Sequence, residues 1–258
     1  MFAWGAFTLF LYIFMRMSGF VLFSPIFARS GIPQIYQAGL IGILSWTVYS
    51  VYGGSAPVPD NLIVFGFRLV LELGVGLVIA LIMRFFLLIA EQTGELIDAQ
   101  MGMSMAKTYD PSSQSQLSVT GNLLNLLMLT LFFIENGHVT LLRLMLTSGE
   151  IVPYGSVSFG RNLADYALEL FANCILLSLK LSLPILCAEL LGQVGMGVLM
   201  KVIPQINVFA INIELKIIIG LMMLVFLLSP IGEFLLAAES DMLRSFRQAI
   251  RLMTGTGG

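Results

Sequence analysis

The sequence predicts an all-α membrane protein of about six long apolar helices. Three observations carry this prediction. Of 258 residues, 58% are apolar and 11% are charged, with a mean hydropathy of +0.94. Soluble domains carry about 25% charged residues, so too little polar surface exists here to face water all round. Apolar runs recur at the length that crosses a bilayer core, about 18 residues or more. The alternating segments of about ten residues that make a membrane barrel are missing.

The first run, 2–27, has neither a basic start nor a small-residue cleavage site, and it reads as a retained membrane helix. The other runs cover 35–52, 62–90, 119–134 (continuing past His138 toward 146), 163–190 and 208–237. Turn chemistry separates them: Gly31 and Pro33, then Gly53, Gly54, Pro57 and Pro59, then Asn136-Gly137, then Pro153 and Gly155. The tail after Glu239 is amphipathic, with Arg244, Arg247 and Arg251, and it suits a membrane surface or a partner. This densest basic cluster predicts a cytoplasmic C-terminus. The expected organisation is an N-terminal helical part, 1–160, a C-terminal helical hairpin, 161–237, and a basic tail, 238–258.

Charges interrupt the apolar runs at Arg16, Arg68, Glu72, Arg84, Asp165, Glu169, Lys180, Glu189, Glu214 and Lys216. A lone charge in hydrocarbon costs a few kcal/mol or more, so these groups must meet protein or water. Arg68 and Glu72 stand four apart on one helix face and form a candidate buried ion pair. Asp165 and Glu169 share a face and repel, which calls for a cation, water or a partner chain. So many interruptions fit a subunit whose flanks are covered by other subunits.

Catalytic signatures are absent from the sequence: no nucleophile elbow, phosphate loop or metal-ligand spacing occurs. The single histidine, His138, excludes a multi-histidine metal site in this chain. No enzyme, cofactor or metal is expected, and a net charge of −2 gives no sign of a nucleic-acid partner. Cys174 and Cys187 read as small packed apolar side chains. Gly74, Gly76 and Ala80 read as close helix packing, and Gly195 with Gly197 as a turn or packing site.

Two segments stand out. The first is polar: Ala106, Lys107, Thr108, Tyr109, Asp110, Pro111, Ser112, Ser113, Gln114, Ser115 and Gln116, preceded by Met101, Met103 and Met105. It reads either as a surface connector or as a movable stopper. The methionines read either as apolar filling or as a soft seal, since Met adapts to irregular surfaces. Pro111 is expected to end any helix arriving from 94–106. The second segment, 192–207, is expected to bend between the last two long helices, with Lys201, Pro204, Gln205 and Asn207 at the bend.

Those two segments resemble the FliR family of flagellar type III secretion export-gate membrane subunits. The most specific match is Val202-Ile-Pro-Gln-Ile-Asn-Val-Phe209 with Lys216, Gly220 and Leu221 downstream; the polar loop and the helical layout extend it over essentially the whole chain. Where the family pattern places a proline, this chain has Glu214, which removes a kink and adds a charge. The resemblance implies a single copy assembled with five copies of a larger gate subunit and four of a small two-helix subunit. Together they would make a helical, closed-by-default gate for unfolded flagellar export substrates, in the lipid membrane of the bacterial inner membrane at the flagellar basal body. The loop at about 106–122 would be the plug, Met101, Met103 and Met105 the seal. Lys201, Pro204, Gln205 and Asn207 would face the cytoplasmic entrance and the substrate-switching membrane protein. An injectisome homologue shares this architecture with a different cargo. A secondary transporter coupling through Arg68, Glu72, Lys180 or Glu189 is the remaining rival, without a visible inverted repeat.

Overall fold

The computed structural model describes residues 4–27, 32–59, 61–103, 118–202 and 208–254. These residues form eight helices and no strand: α1 (Trp4–Phe23), α2 (Gln34–Tyr52), α3 (Leu62–Met101), α4 (Val119–Ile134), α5 (Gly137–Ile151), α6 (Arg161–Val202), α7 (Val208–Phe226) and α8 (Leu228–Leu252). Three of them, α1, α3 and α6, are long and apolar enough to cross a membrane singly. The pairs α4–α5 and α7–α8 are bent by 67° and 62°, and counting each as one span gives up to five. The expected sixth, α2, forms a helix but falls short of a span, because serine, threonine, tyrosine and tryptophan dilute its apolar residues.

The helix breaks have local causes. Asn136 adopts a left-handed backbone, φ 56°, between α4 and α5. Gly155 at φ 82° turns the connection from α5 to α6. Gly102 at φ 80° closes α3: its N–H bonds the Ala99 carbonyl at 3.2 Å and the Met103 N–H bonds the Asp98 carbonyl at 2.9 Å. That is a glycine C-terminal cap, so α3 stops well before Pro111. It also runs eleven residues past the apolar stretch ending at Ala90. The 40-residue α3 is about 60 Å long at about 1.5 Å per residue, twice the hydrocarbon thickness of about 30 Å.

The chain divides into two compact units that do not follow chain order. Unit one comprises Met1–Phe85, Asn136–Phe171 and Ser240–Gly258; unit two comprises Phe86–Glu135 and Ala172–Glu239. Helices α3, α6 and α8 each belong to both.

In unit one, α1 crosses α3 at glycines. A Cβ on Gly76 would collide with the Arg16 carbonyl and the Phe20 amide, and one on Gly19 with the Leu73 carbonyl. Gly74 lies against the Phe159 ring, and Ala80 is fully buried, as the packing reading expects. Tyr12, Met17, Phe20, Ile79, Met83 and Phe246 fill the layer around this crossing.

In unit two, α3 crosses α4 the same way. A Cβ on Gly94 would strike the backbone of Gly121. Phe86, Ile89, Ile97, Leu124 and Ile185 are buried there, and the Thr93 hydroxyl donates to the Ser178 carbonyl of α6 at 3.1 Å.

Several local expectations change. Gly195 and Gly197 lie within α6 and face open space, rather than a turn or packing contact. The bend expected over 192–207 is helix as far as Val202. Cys174 is buried as expected, but Cys187 is exposed among the described residues. Asp165 lies 3.8 Å from Arg161, a solvent-accessible i, i+4 pair that answers its repulsion with Glu169 locally.

Candidate functional site

The site of interest is where the polar segment is rooted, in unit two. Ser118 caps α4: its hydroxyl accepts from the Gly121 N–H at 2.8 Å. Asp98 of α3, fully buried, accepts the Thr120 N–H at 3.2 Å through Oδ2. Two of the free donors at the start of α4 are thus satisfied, one by its own cap and one by the neighbouring helix. One turn further along, Asn125 donates its side-chain amide to Glu91 at 2.8 Å. The last helical residue of α3, Met101, is fully buried against α7, where a Cβ on Gly220 would come within 2.6 Å of its Cγ. Gly102 and Ser118 therefore leave and re-enter one tightly crossed helix pair.

Three of the polar residues of 91–100 are explained by this seat. Glu91, Thr93 and Asp98 each bond a neighbouring helix within the unit. Ser118 directly before an apolar run was a readable capping signal. The Gly94–Gly121 crossing carried none, because only folding brings the two glycines together.

The eleven expected plug residues, Ala106 to Gln116, lie outside the described residues, as do Met105, Pro204, Gln205 and Asn207. Within the range assigned to the plug, 119–122 forms the first turn of α4. Met101 is packed inside the chain, Met103 is half-buried, and Lys201 is exposed in the last turn of α6.

The expected pair of Arg68 with Glu72 is replaced by a longer-range one. Glu72 Oε2 accepts from Arg16 Nε at 2.7 Å, and both side chains are fully buried. Its Oε1 accepts the Gly155 N–H at 2.7 Å. The other Arg16 nitrogens donate to the Ser148 hydroxyl and the Val152 carbonyl, each at 3.1 Å. The guanidinium also lies 4.2 Å from the centre of the Tyr154 ring. Burial pushes the Tyr154 phenol above its ordinary value. Arg68 is half-buried and lies beside Tyr12 instead. The glycine crossing decides this: it brings α1 close enough for Arg16 to reach Glu72 first. The cluster ties α1, α3, α5 and the connection to α6 together. With its charges compensated, it is a structural clamp rather than a reactive centre.

Glu189 of α6 differs from that clamp. It is fully buried with the Gly220 backbone amide and the Lys216 ammonium near its carboxyl group, but among the described residues it closes no ion pair within 4.0 Å. Among the described residues no group of three or more His, Cys, Asp or Glu side chains could hold a metal ion.

A family model described as "Bacterial export proteins, family 1" matches residues 7–241. The flagellar biosynthetic protein FliR of Bacillus subtilis strain 168 is 26% identical over 230 residues, 87% of this chain and 88% of that protein. FliR of Escherichia coli K12 is 26% identical over 231 residues, covering 88% of this chain and 87% of its own. The Yop proteins translocation protein T of Yersinia pestis is 28% identical over 165 residues, 62% of this chain and 63% of its own. Matched from residue 7 to residue 241, the chain belongs to the bacterial export proteins, family 1.

Proposed function

We propose that the chain is a core subunit of the flagellar type III protein-export gate in the bacterial inner membrane. It is an export component, not an enzyme. In this reading it joins five copies of a larger gate subunit and four of a small two-helix subunit in a pore that is closed by default. Unfolded export substrates pass through it. The segment 106–116 blocks the pore by occupancy, with Met103 and Met105 near it. Lys201 and the bend beyond it meet the substrate-switching membrane protein.

One observation carries the assembly reading. Arg84 and Lys180 lie on α3 and α6, helices apolar enough to cross a membrane, yet both side chains are exposed on the chain's surface. A charge facing lipid there costs a few kcal/mol. Partner subunits or a water-filled pore remove that cost. The plug reading draws support from the seat: the residues that flank the polar segment, Met103 and Ser118, belong to the capped ends of α3 and α4, two helices locked together at Gly94 and Gly121.

Native mass spectrometry of the tagged chain, co-expressed with its neighbouring membrane genes, tests the assembly. One copy retained with several copies of two small partners is the expected result. A stable lone chain would overturn the reading and bring the transporter forward. Deleting 107–116 tests the plug: assembled gates in sealed vesicles should leak small ions, and unchanged permeability would refute the assignment.

A virulence-type role is the second reading, favoured by the likeness to the Yersinia pestis translocation protein. Restoration of swimming when the gene is returned to a deletion strain separates the two.

A further inference from the structure

Helix α8 has two sharply different faces. Met242, Phe246, Ala249, Ile250 and Met253 are at most 3% exposed and recur at helical spacing. They form part of the core of unit one. Asp241, Arg244, Arg247, Gln248 and Arg251 occupy the opposite, exposed face. Arg244, Arg247 and Arg251 follow one another at spacings of three and four, so their guanidinium groups form a single row.

The row is under-neutralised. Arg244 lies 3.5 Å from Asp241, with its side chain still 75% exposed. Among the described residues neither Arg247 nor Arg251 has a carboxylate within 4.0 Å. The face therefore carries three positive charges against one negative.

Free amphipathic helices bind membranes by inserting their apolar face. That route is closed to α8, because its apolar face is already consumed within the chain. What remains available is the arginine row. Its setting favours a lipid occupant. The apolar α7 ends at Phe226, and α8 leaves it at 62°. Together the two helices make one bent candidate span, so the arginine row stands at its polar end, where a headgroup layer begins. Planar guanidinium groups match phosphate oxygens with paired donors.

We infer that the row Arg244, Arg247 and Arg251 binds anionic phospholipid headgroups and holds α8 at the membrane–water boundary. The apolar face anchors α8 to the protein and the arginine face anchors it to lipid phosphate.

The test is native mass spectrometry of the full chain in detergent, titrated with phosphatidylglycerol or phosphatidylcholine. The wild-type chain should retain phosphatidylglycerol preferentially, and about 0.5 M salt should abolish the preference. Each arginine near a headgroup layer contributes about fivefold, so R244Q/R247Q/R251Q should lower phosphatidylglycerol affinity about 100-fold. R244K/R247K/R251K keeps the charge and should keep most of the preference. All three side chains are exposed, so the melting midpoint of each variant should stay at the wild-type value. Equal phosphatidylglycerol retention by the glutamine variant overturns the inference. So does a wild-type chain without lipid preference whose glutamine variant instead sheds a co-purifying protein, which would make the row a protein-docking surface.

Discussion

Removing Glu72 should unfold unit one more readily than removing Glu72 and Arg16 together. In Glu72→Met the Arg16 guanidinium stays fully buried without a counter-charge. Breaking one partner of a buried pair costs about 3–5 kcal/mol. The Gly155 N–H also loses its acceptor, so the expected loss is about 5 kcal/mol. Arg16→Met leaves Glu72 charged and buried, strips the Val152 carbonyl and the Ser148 hydroxyl of a donor, and should cost a similar amount. The double variant R16M/E72M removes both charges. Its remaining penalty is the orphaned Val152 carbonyl and the part-exposed Gly155 amide, at about 1–3 kcal/mol for each fully buried group, so about 2–4 kcal/mol in all. The two single losses should therefore exceed the double loss by about 5 kcal/mol or more, a large coupling for neighbours. Thermal unfolding of the detergent-solubilised chain reads this directly. A chain of this size shifts by about 2–4 °C per kcal/mol, so each single variant should melt about 10 °C or more below wild type. The double variant should lie between them and wild type. A Glu72→Met midpoint within about 2 °C of wild type, or a double variant equal to the sum, would refute the clamp.

Three further outcomes follow from packing. Gly94→Ala drives a methyl into the Gly121 backbone and should cost more than about 2 kcal/mol, whereas Gly39→Ala, in open space within α2, should be neutral or slightly stabilising; equal melting points for the two would sink the crossing argument. Glu189→Gln removes a buried ionisable group that closes no ion pair within 4.0 Å and keeps a side-chain oxygen beside the Gly220 amide, so the melting point should stay or rise; a fall of several degrees would mean a cationic partner is held there. Maleimide should label Cys187 and spare Cys174 in the lone chain, and assembly with partner subunits should protect Cys187 if they cover that face of α6. Unchanged labelling after assembly would leave that face outside the interface.

The limits of sequence reading here trace to distance along the chain. The fold class, the break at Asn136-Gly137 and the turn at Gly155 were legible, because hydropathy and left-handed backbone preference act over a few residues. The family likeness was legible in Val202 to Phe209 for the same reason. Helix α3 beyond Ala90 was harder to read: Glu91, Thr93 and Asp98 are too polar to face lipid, and only α4 and α6 supply their partners. Spacing along one helix proposed Arg68 for Glu72, and the glycine crossing chose Arg16, 56 residues away. Cys187 looked as apolar as Cys174 in sequence, yet among the described residues Cys174 is buried and Cys187 is exposed. Composition and local turn chemistry determine which segments become helices and that they seek a membrane. Which charges meet, which glycines touch and which faces stay open depend on helix approach, and approach is decided by the smallest side chains at crossings far apart in the chain.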